Sequence, residues 1–151
     1  LPERLRQRFA ALPDGHHLAA QLERGLRVVT LGANLALASA VDNDNPKRGM
    51  DLAQELYALA RPWDVFLGIS TSGNARNVCQ AAQVARALDV HVIALTGERD
   101  SELRSLADVA IQAPGGRTDR IQENHIRIYH ALCAMLEDHF FAESGAPEGT
   151  R

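Results

Sequence analysis

Three consecutive hydroxyl residues, Ser70, Thr71 and Ser72, stand between an apolar run and a helical pattern. The apolar run, residues 65–69, has no polar alternation, which is typical of a parallel strand buried on both faces. A helix that begins just after such a strand points its free backbone N–H groups and its positive dipole end at the turn. The hydroxyls add donors, and Gly73 lets a ligand approach the backbone. We therefore expect a site for a phosphate monoester, with a sugar phosphate as the ligand.

These residues also have a purely structural interpretation. Serine and threonine are common in turns and at helix N-caps, and the local sequence leaves both interpretations open. Nucleotide-binding motifs do not explain the pattern. No lysine follows Gly73 as in a Walker loop, and the chain has no G-x-G-x-x-G fingerprint.

Short apolar runs alternate with helical periodicity along the chain. The patterns predict strands at residues 26–31, 65–69, 91–96 and 108–112, and helices at residues 3–11, 16–24, 35–41, 50–60, 77–88, 101–106 and 119–141. This spacing predicts an α/β fold: a three-layer, doubly wound parallel sheet of flavodoxin-like type. The strand at 65–69 is expected to be central and the more polar one at 108–112 an edge. Ligands bind outside the carboxyl ends of such strands, where residues 70–74 lie.

Length and composition narrow the possible functions. A chain of 151 residues with 46% hydrophobic residues suits a single domain with a real core. Scattered basic residues and a net charge of −3 argue against nucleic-acid binding. Cys79 and Cys133 sit among apolar residues in helical patterns, which favours a reduced cytoplasmic protein. No signal peptide or membrane-spanning apolar run is apparent.

Two further groups are candidates for chemistry. Residues 42–46 form a dense cluster of turn formers, either a plain loop or a polar lip that hydrogen-bonds sugar hydroxyls. Gln122 and His130 lie eight residues apart on the last helix, which places them within about 80° and about 12 Å of each other along it. They could line one groove, with His125 nearer the opposite stripe. Histidine suits proton transfer and metal binding equally, and a packed core histidine is a common alternative.

In combination, these segments resemble the sugar isomerase (SIS) domain of phosphoheptose isomerases. The resemblance is carried by Gly68–Asn74, Asp119–Glu123 and His130, with support from Val41–Asp44 and Leu95–Gly97. It extends over about residues 26–141 and implies a SIS-type fold there. The remaining segments are a helical piece over residues 1–25, similar to an insertion in some relatives, and a disordered tail over residues 142–151.

The resemblance implies aldose–ketose isomerisation of sedoheptulose 7-phosphate to D-glycero-manno-heptose 7-phosphate through an enediol, for lipopolysaccharide and surface-polysaccharide precursors. Carried over by position, Ser70, Thr71 and Ser72 would hold the phosphate, and Asn43 and Asp44 would contact the substrate.

The last helix receives further roles from the resemblance. Gln122 would contact the substrate, and Gln122 and His130 would be zinc ligands, as in zinc-bound relatives. His130 would also be a candidate proton carrier. The resemblance also implies a homotetramer with sites between subunits, which suits a last helix that is apolar on two sides.

The chain also departs from the family pattern. Ala75 stands where the family has a serine, and the family's earlier strand, Gly-Asn-Gly-Gly-Ser loop and helix with a histidine and the catalytic glutamate have no counterpart. We therefore expect the chain to begin partway through the fold. The alternative hypothesis is a non-catalytic SIS-type protein that binds sugar phosphates or regulates a partner.

Overall fold

Three parallel strands form the sheet of the computed structural model, which describes residues 1–45 and 49–142. They are β1 (Val65–Ser70), β2 (His91–Gly97) and β3 (Val109–Ala113), in the order β1-β2-β3. Val65 pairs with His91, and Ile93 pairs with Val109, so all three carboxyl ends lie at one edge. The predicted strands at 91–96 and 108–112 thus exist, and β3 is an edge strand, as expected.

Seven helices accompany the sheet in the described residues. They are α1 (Glu3–Ala10), α2 (Gly15–Gln21), α3 (Leu35–Asp44), α4 (Asp51–Leu59), α5 (Arg76–Ala87), α6 (Glu102–Leu106) and α7 (Thr118–Phe141). None of these helices is long and apolar enough to cross a bilayer.

The core is formed by one face of the sheet, helices α5 and α6, and Leu56 of α4, which packs into the same cluster. Alanines at positions 81, 82 and 85 of α5 are fully buried, and their small side chains let the helix approach the strands closely. Val92 and Ala94 of β2 meet this layer, and Leu103 of α6 is completely enclosed by it. This packing holds the carboxyl ends of β1 and β2 beside the beginnings of α5 and α6.

The prediction that the strand at 65–69 is central and buried on both faces is wrong. β1 is an edge strand, and its burial alternates: Phe66 is 8% exposed, whereas Val65 and Leu67 are 60% and 39% exposed. An apolar run identifies a strand, but the number of covered faces depends on which distant elements pack against it.

The predicted strand at 26–31 is also wrong. No strand is present there, and Val28 and Val29 are 81% and 56% exposed. The apolar run has high strand propensity, but a strand needs a hydrogen-bonded neighbour, and none of the described residues supplies one.

The turn cluster at 42–46 was likewise predicted wrongly in part. Helix α3 continues through Asn43 and Asp44, with Asn34 capping its start through a 3.1 Å bond from the Leu37 N–H. Pro46 and the predicted tail beyond Ala142 lie outside the described residues.

Two compact units are distinguishable. One contains, among the described residues, Leu1–Val29 and residues 137–142. Within it α1 contacts α2, and the Arg24 guanidinium lies 5.5 Å from the centre of the Phe141 ring. The other, Thr30–Leu136, contains the whole sheet and every candidate site residue.

Candidate functional site

A cavity of about 240 Å³ opens at the carboxyl edge of the sheet. Segments that follow all three strands line it. They are Thr71, Ser72 and Asn74 after β1, Gly97 at the end of β2 with Glu98, Arg99 and Asp100 after it, and Gly115, Gly116, Thr118 and Ile121 after β3. A parallel sheet brings these segments together because its strands all end at the same edge.

The hydroxyl loop, residues 70–74, contains hydroxyl groups in different situations. Ser70 is 8% exposed, and its Oγ accepts the Gly73 N–H at 3.1 Å, so it closes the turn. Ser72 is exposed, and its Oγ accepts the Asn74 N–H at 3.2 Å. Thr71 is half-buried and lines the cavity, while its carbonyl accepts the Gly97 N–H at 3.1 Å. Thr71 and Ser72 thus line the cavity, whereas Ser70 is buried and stabilises the turn through its bond to Gly73.

The start of α5 offers backbone donors beside this loop. Ala75 occupies the N-cap position and has no side-chain acceptor, but the Val78 N–H of the first turn is already bonded to Asn77 Oδ1 at 3.0 Å. The first N–H groups of a helix have no partner within it, so a missing cap leaves donors for a ligand or for water. With alanine at the N-cap, the Arg76 and Asn77 N–H groups have no protein acceptor among the described residues.

Contacts with α6 fix the shape of the hydroxyl loop. The Gly73 carbonyl accepts the Leu103 N–H at 2.9 Å, and Asn74 Oδ1 accepts the Glu102 N–H at 3.0 Å. These bonds satisfy two of the unpaired N–H groups at the start of α6. The loop is therefore anchored to a second element and not merely to its own strand.

The thiol of Cys79 also contacts the Gly73 carbonyl. Its Sγ lies 3.6 Å from the Gly73 oxygen, and burial, with a smaller contribution from the nearby Glu102 carboxylate, raises the pKa of the Cys79 thiol. A raised pKa keeps the thiol protonated at neutral pH, so it can donate. Both cysteines are free thiols, with Cys133 exposed.

Two glycines are required by the close approach of other groups. Gly73 has φ +65°, and a Cβ there would lie 2.1 Å from Ser101 Oγ. At Gly97, a Cβ would lie 2.8 Å from the Thr71 oxygen and 2.9 Å from Ile121 Cδ1. The glycines let the loops after β1 and β2 and the first turns of α7 meet around the cavity.

The other predicted site residues do not line this cavity. Asn43 and Asp44 are exposed at the end of α3, and Gln122 and His130 are exposed on α7. The His130 ring lies edge-on to Tyr129, with ring centroids 5.1 Å apart. The structure therefore brings Thr71 and Ser72 together but does not bring these four residues to them within one chain.

His125 is the buried histidine of α7. It is 4% exposed, and its Nε2 lies 3.2 Å from the Thr96 carbonyl oxygen. A carbonyl only accepts, so this contact assigns the proton to Nε2. His125 joins α7 to the end of β2 and has the structural role of a packed, hydrogen-bonded histidine.

The cavity also has lining residues that sequence reasoning missed, chiefly Glu98, Arg99, Asp100 and Thr118. Only their positions in the sequence could have indicated them, because three of them follow β2 and Thr118 begins the helix after β3. Applying the carboxyl-end rule to every strand would have found them.

Comparison with known proteins identifies the chain's relatives. The SIS domain family matches residues 47–137. The phosphoheptose isomerase of Geotalea daltonii is 38% identical over 137 residues, covering 86% of this chain and 71% of the relative. The chain belongs to the phosphoheptose isomerase family of SIS domain proteins. The Helicobacter hepaticus member is 39% identical over 131 residues, and the match covers 82% of this chain and 66% of that relative.

Solved structures of the family share the fold. The Neisseria gonorrhoeae phosphoheptose isomerase superposes with a TM-score of 0.71 at 39% identity, over 82% of this chain and 69% of that one. The Francisella tularensis phosphoheptose isomerase gives 0.70 at 28% identity, over 82% and 70%. The predicted α/β fold class and family are confirmed. The chain spans about two thirds of the length of these family members.

Zinc, which the family resemblance implies, does not have a full set of ligands in the described residues. Protein zinc sites use three or four side chains. No group of three or more His, Cys, Asp or Glu side chains suited to a metal occurs in residues 1–45 and 49–142. Gln122 and His130 would supply at most part of a ligand set, so no chemical step is assigned to a metal.

Proposed function

We propose that the full-length protein is a sugar-phosphate isomerase that converts sedoheptulose 7-phosphate to D-glycero-manno-heptose 7-phosphate. The observation that carries this proposal is the cavity lined by Thr71 and Ser72, close in sequence to the Arg76 and Asn77 N–H groups, which have no acceptor among the described residues. Membership of the phosphoheptose isomerase family supports it.

The phosphate group would act as a handle. Thr71 and Ser72 donate hydroxyl hydrogen bonds to its oxygens, and the first N–H groups of α5 add backbone donors and a favourable dipole. Holding the phosphate fixes the reacting carbons relative to the proton carriers, and that positioning lowers the barrier to enediol formation. Asn43, Asp44 and Gln122 would contact the sugar in the assembled enzyme.

Proton transfer requires a group that this cavity lacks within one chain. His130, the proposed proton carrier, is exposed on α7 and does not line the cavity. We propose that the enzyme is a homotetramer in which sites form between subunits. Apolar side chains exposed along α7 support this, since Ile126, Met135 and Leu136 are 45%, 67% and 45% exposed.

The tetramer has its own test. Sedimentation equilibrium of the full-length protein is expected to give four chains per particle, and Met135→Glu is expected to dissociate it. A monomer with full activity would contradict the proposal.

Zinc, the compartment and the pathway are further parts of the proposal. Gln122 and His130 would hold zinc together with ligands from outside the described residues, and metal analysis of the purified full-length protein tests this. Two free cysteines support a reducing, cytoplasmic location, where the product would feed surface-polysaccharide heptose precursors.

The deciding experiment is a direct assay of the full-length protein. Sedoheptulose 7-phosphate is incubated with and without added zinc, and the aldose product is followed by ¹³C NMR. Turnover that falls at least tenfold in His130→Ala supports isomerisation, because a positioned proton carrier contributes at least that much. Tight binding of the sugar phosphate without any turnover would contradict it.

That contradictory outcome corresponds to a second candidate, a non-catalytic sugar-phosphate-binding or regulatory protein. It is favoured by one observation: within a single chain, the cavity has phosphate donors but neither Gln122 nor His130. Binding of a sugar phosphate requires only the phosphate donors, whereas isomerisation also requires a proton carrier beside the bound sugar.

A further inference from the structure

Arg99, two residues after the end of β2, is the one arginine or lysine among the residues that line the cavity. Among residues 1–45 and 49–142, no side chain or carbonyl forms a hydrogen bond or ion pair with its guanidinium. Arg99 therefore adds an unpaired, charged donor to the lining that also contains the neutral donors Thr71 and Ser72.

The acidic neighbours of Arg99 are engaged elsewhere. The Asp100 carboxylate pairs with Arg104 of α6. Glu98 Oε2 accepts the Gly115 N–H at 3.4 Å. Neither carboxylate forms an ion pair with Arg99 in the described residues, so the guanidinium is available to an anionic ligand.

Arginines near the start of α7 behave differently. Arg117 makes two bonds to Asp119, at 3.1 Å and 3.0 Å, and Arg120 bonds Glu123 at 2.9 Å. Neither lines the cavity. The combination of an unpaired guanidinium and a position in the cavity wall thus distinguishes Arg99.

We propose that Arg99 binds the phosphate group of the ligand and sets the preference for a phosphorylated sugar over the free sugar. Hydroxyl and backbone N–H donors carry no net charge and also bind neutral oxygens, so they discriminate less than a charged donor does. A guanidinium forms paired, charge-assisted bonds to phosphate and gains little from a neutral hydroxyl. The loop after β2 thereby supplies the charge that the hydroxyl loop, which has no lysine, does not.

This inference rests on the proposed function for the identity of the ligand, a sugar phosphate, but it does not require turnover. Binding is measured by calorimetry with three probes: sedoheptulose 7-phosphate, free sedoheptulose and inorganic phosphate. The variants are Arg99→Ala, Arg99→Lys and the matched control Arg127→Ala. Arg127 is exposed on α7 and lies away from the cavity, so its removal changes the net charge equally.

We expect Arg99→Ala to weaken binding of both phosphate-containing probes by about 10-fold to 100-fold, the effect of losing a charge-assisted hydrogen bond. The affinity of Arg99→Lys for these two probes is expected to lie between that of Arg99→Ala and that of the parent. Binding of free sedoheptulose should be unchanged in every variant, and Arg127→Ala should stay within about twofold of the parent for all probes. Because Arg99 has no partner in the described residues, its loss should leave the melting temperature unchanged.

Three outcomes would overturn the inference: phosphate binding by Arg99→Ala as tight as by the parent, equal losses in Arg99→Ala and Arg127→Ala, or no phosphate binding by the parent. The proposed function fails separately. If phosphate binding depends on Arg99 but the full-length protein does not isomerise the sugar, the isomerase proposal is wrong and the role of Arg99 stands. If the protein isomerises the sugar and Arg99→Ala leaves KM unchanged, the role of Arg99 is wrong and the isomerase proposal stands.

Discussion

Replacing Gly73 by alanine tests how the hydroxyl loop is held open beside the cavity. Gly73 has φ +65°, a conformation that L residues rarely adopt, and its missing side chain leaves room for Ser101. An added Cβ would lie 2.1 Å from Ser101 Oγ, 2.5 Å from Ser101 Cβ and 3.2 Å from Thr96 Cγ2. Ordinary contact begins at 3.4 Å, so Ser101 would have to move.

The expected cost has two parts. The left-handed backbone costs an alanine about 1–2 kcal/mol. Displacing Ser101, which precedes α6, also strains the bond from the Leu103 N–H to the Gly73 carbonyl, and losing such a bond with its packing adds about 1–3 kcal/mol. We therefore expect Gly73→Ala to lower the free energy of unfolding by about 2–5 kcal/mol and to weaken sugar-phosphate binding.

Two companion variants separate these parts in urea denaturation followed by circular dichroism. Gly49→Ala is the matched control, because Gly49 has φ +87° but no atom of the described residues within 4 Å of an added Cβ. It should show only the backbone cost. Adding Ser101→Gly to Gly73→Ala removes the two nearest obstructing atoms and also a buried hydroxyl with no hydrogen-bond partner. The double variant should recover the steric part.

The reasoning would be refuted if Gly73→Ala were no more destabilising than Gly49→Ala. It would equally fail if Ser101→Gly gave no recovery, since the obstruction would then lie elsewhere.

Three further perturbations test other contacts. Leu103→Ala should lower the free energy of unfolding by about 2–5 kcal/mol in urea melts, because Leu103 is 0% exposed, whereas exposed Leu35→Ala should change it by less than about 0.5 kcal/mol; similar losses would contradict the assigned core. The backbone N–H of Val92, with smaller contributions from charged neighbours, lowers the pKa of Asp108, so its carboxylate stabilises the fold above its ordinary pKa of about 3.9 and stops doing so as the pH falls through the depressed value. Asp108→Asn should therefore be less stable than the parent at pH 7, and the difference should shrink as the pH falls through the lowered pKa of Asp108; a difference that does not change with pH would count against this. Thr71→Val keeps the shape of the side chain and removes the hydroxyl in the cavity wall, so sugar-phosphate binding should weaken about 2-fold to 13-fold at unchanged melting temperature; unchanged affinity in calorimetry would exclude a bond from Thr71.

The parts of the fold with strong periodicity could be predicted from the sequence. The alanine-rich pattern of α5 and the long pattern of α7 place these helices within one residue of their observed bounds. The same holds for β2 and β3, whose apolar runs are bounded by glycine, proline or aspartate. In these segments local propensity and tertiary packing favour the same structure.

Other features depend on contacts between distant residues and could not be predicted. Residues 26–31 have a strand-like composition, but only a paired neighbour makes a strand. The alternation in β1 depends on which of its faces α5 and α6 cover. Asn43 and Asp44 are turn formers by type, yet α3 has enough helical residues ahead of them to continue through both.

Prediction of the candidate site was similarly partial. The hydroxyl loop was visible because its residue types and its position after a strand both indicate a ligand site. Ser70 is buried, whereas Thr71 and Ser72 line the cavity. This difference depends on the hydrogen bonds of the local turn, which the residue types alone do not predict. Arg99 was missed because the loop after β2 reaches the same cavity only once the sheet has formed.

The most direct test of phosphate recognition at the carboxyl edge is amide chemical-shift mapping of this chain during titration with sedoheptulose 7-phosphate and, separately, free sedoheptulose. The phosphorylated sugar should shift the amides of residues 71–76 and 97–100 at concentrations where the free sugar shifts neither group. Equal shifts by the two sugars, or phosphate-dependent shifts confined to residues outside the cavity, would contradict it.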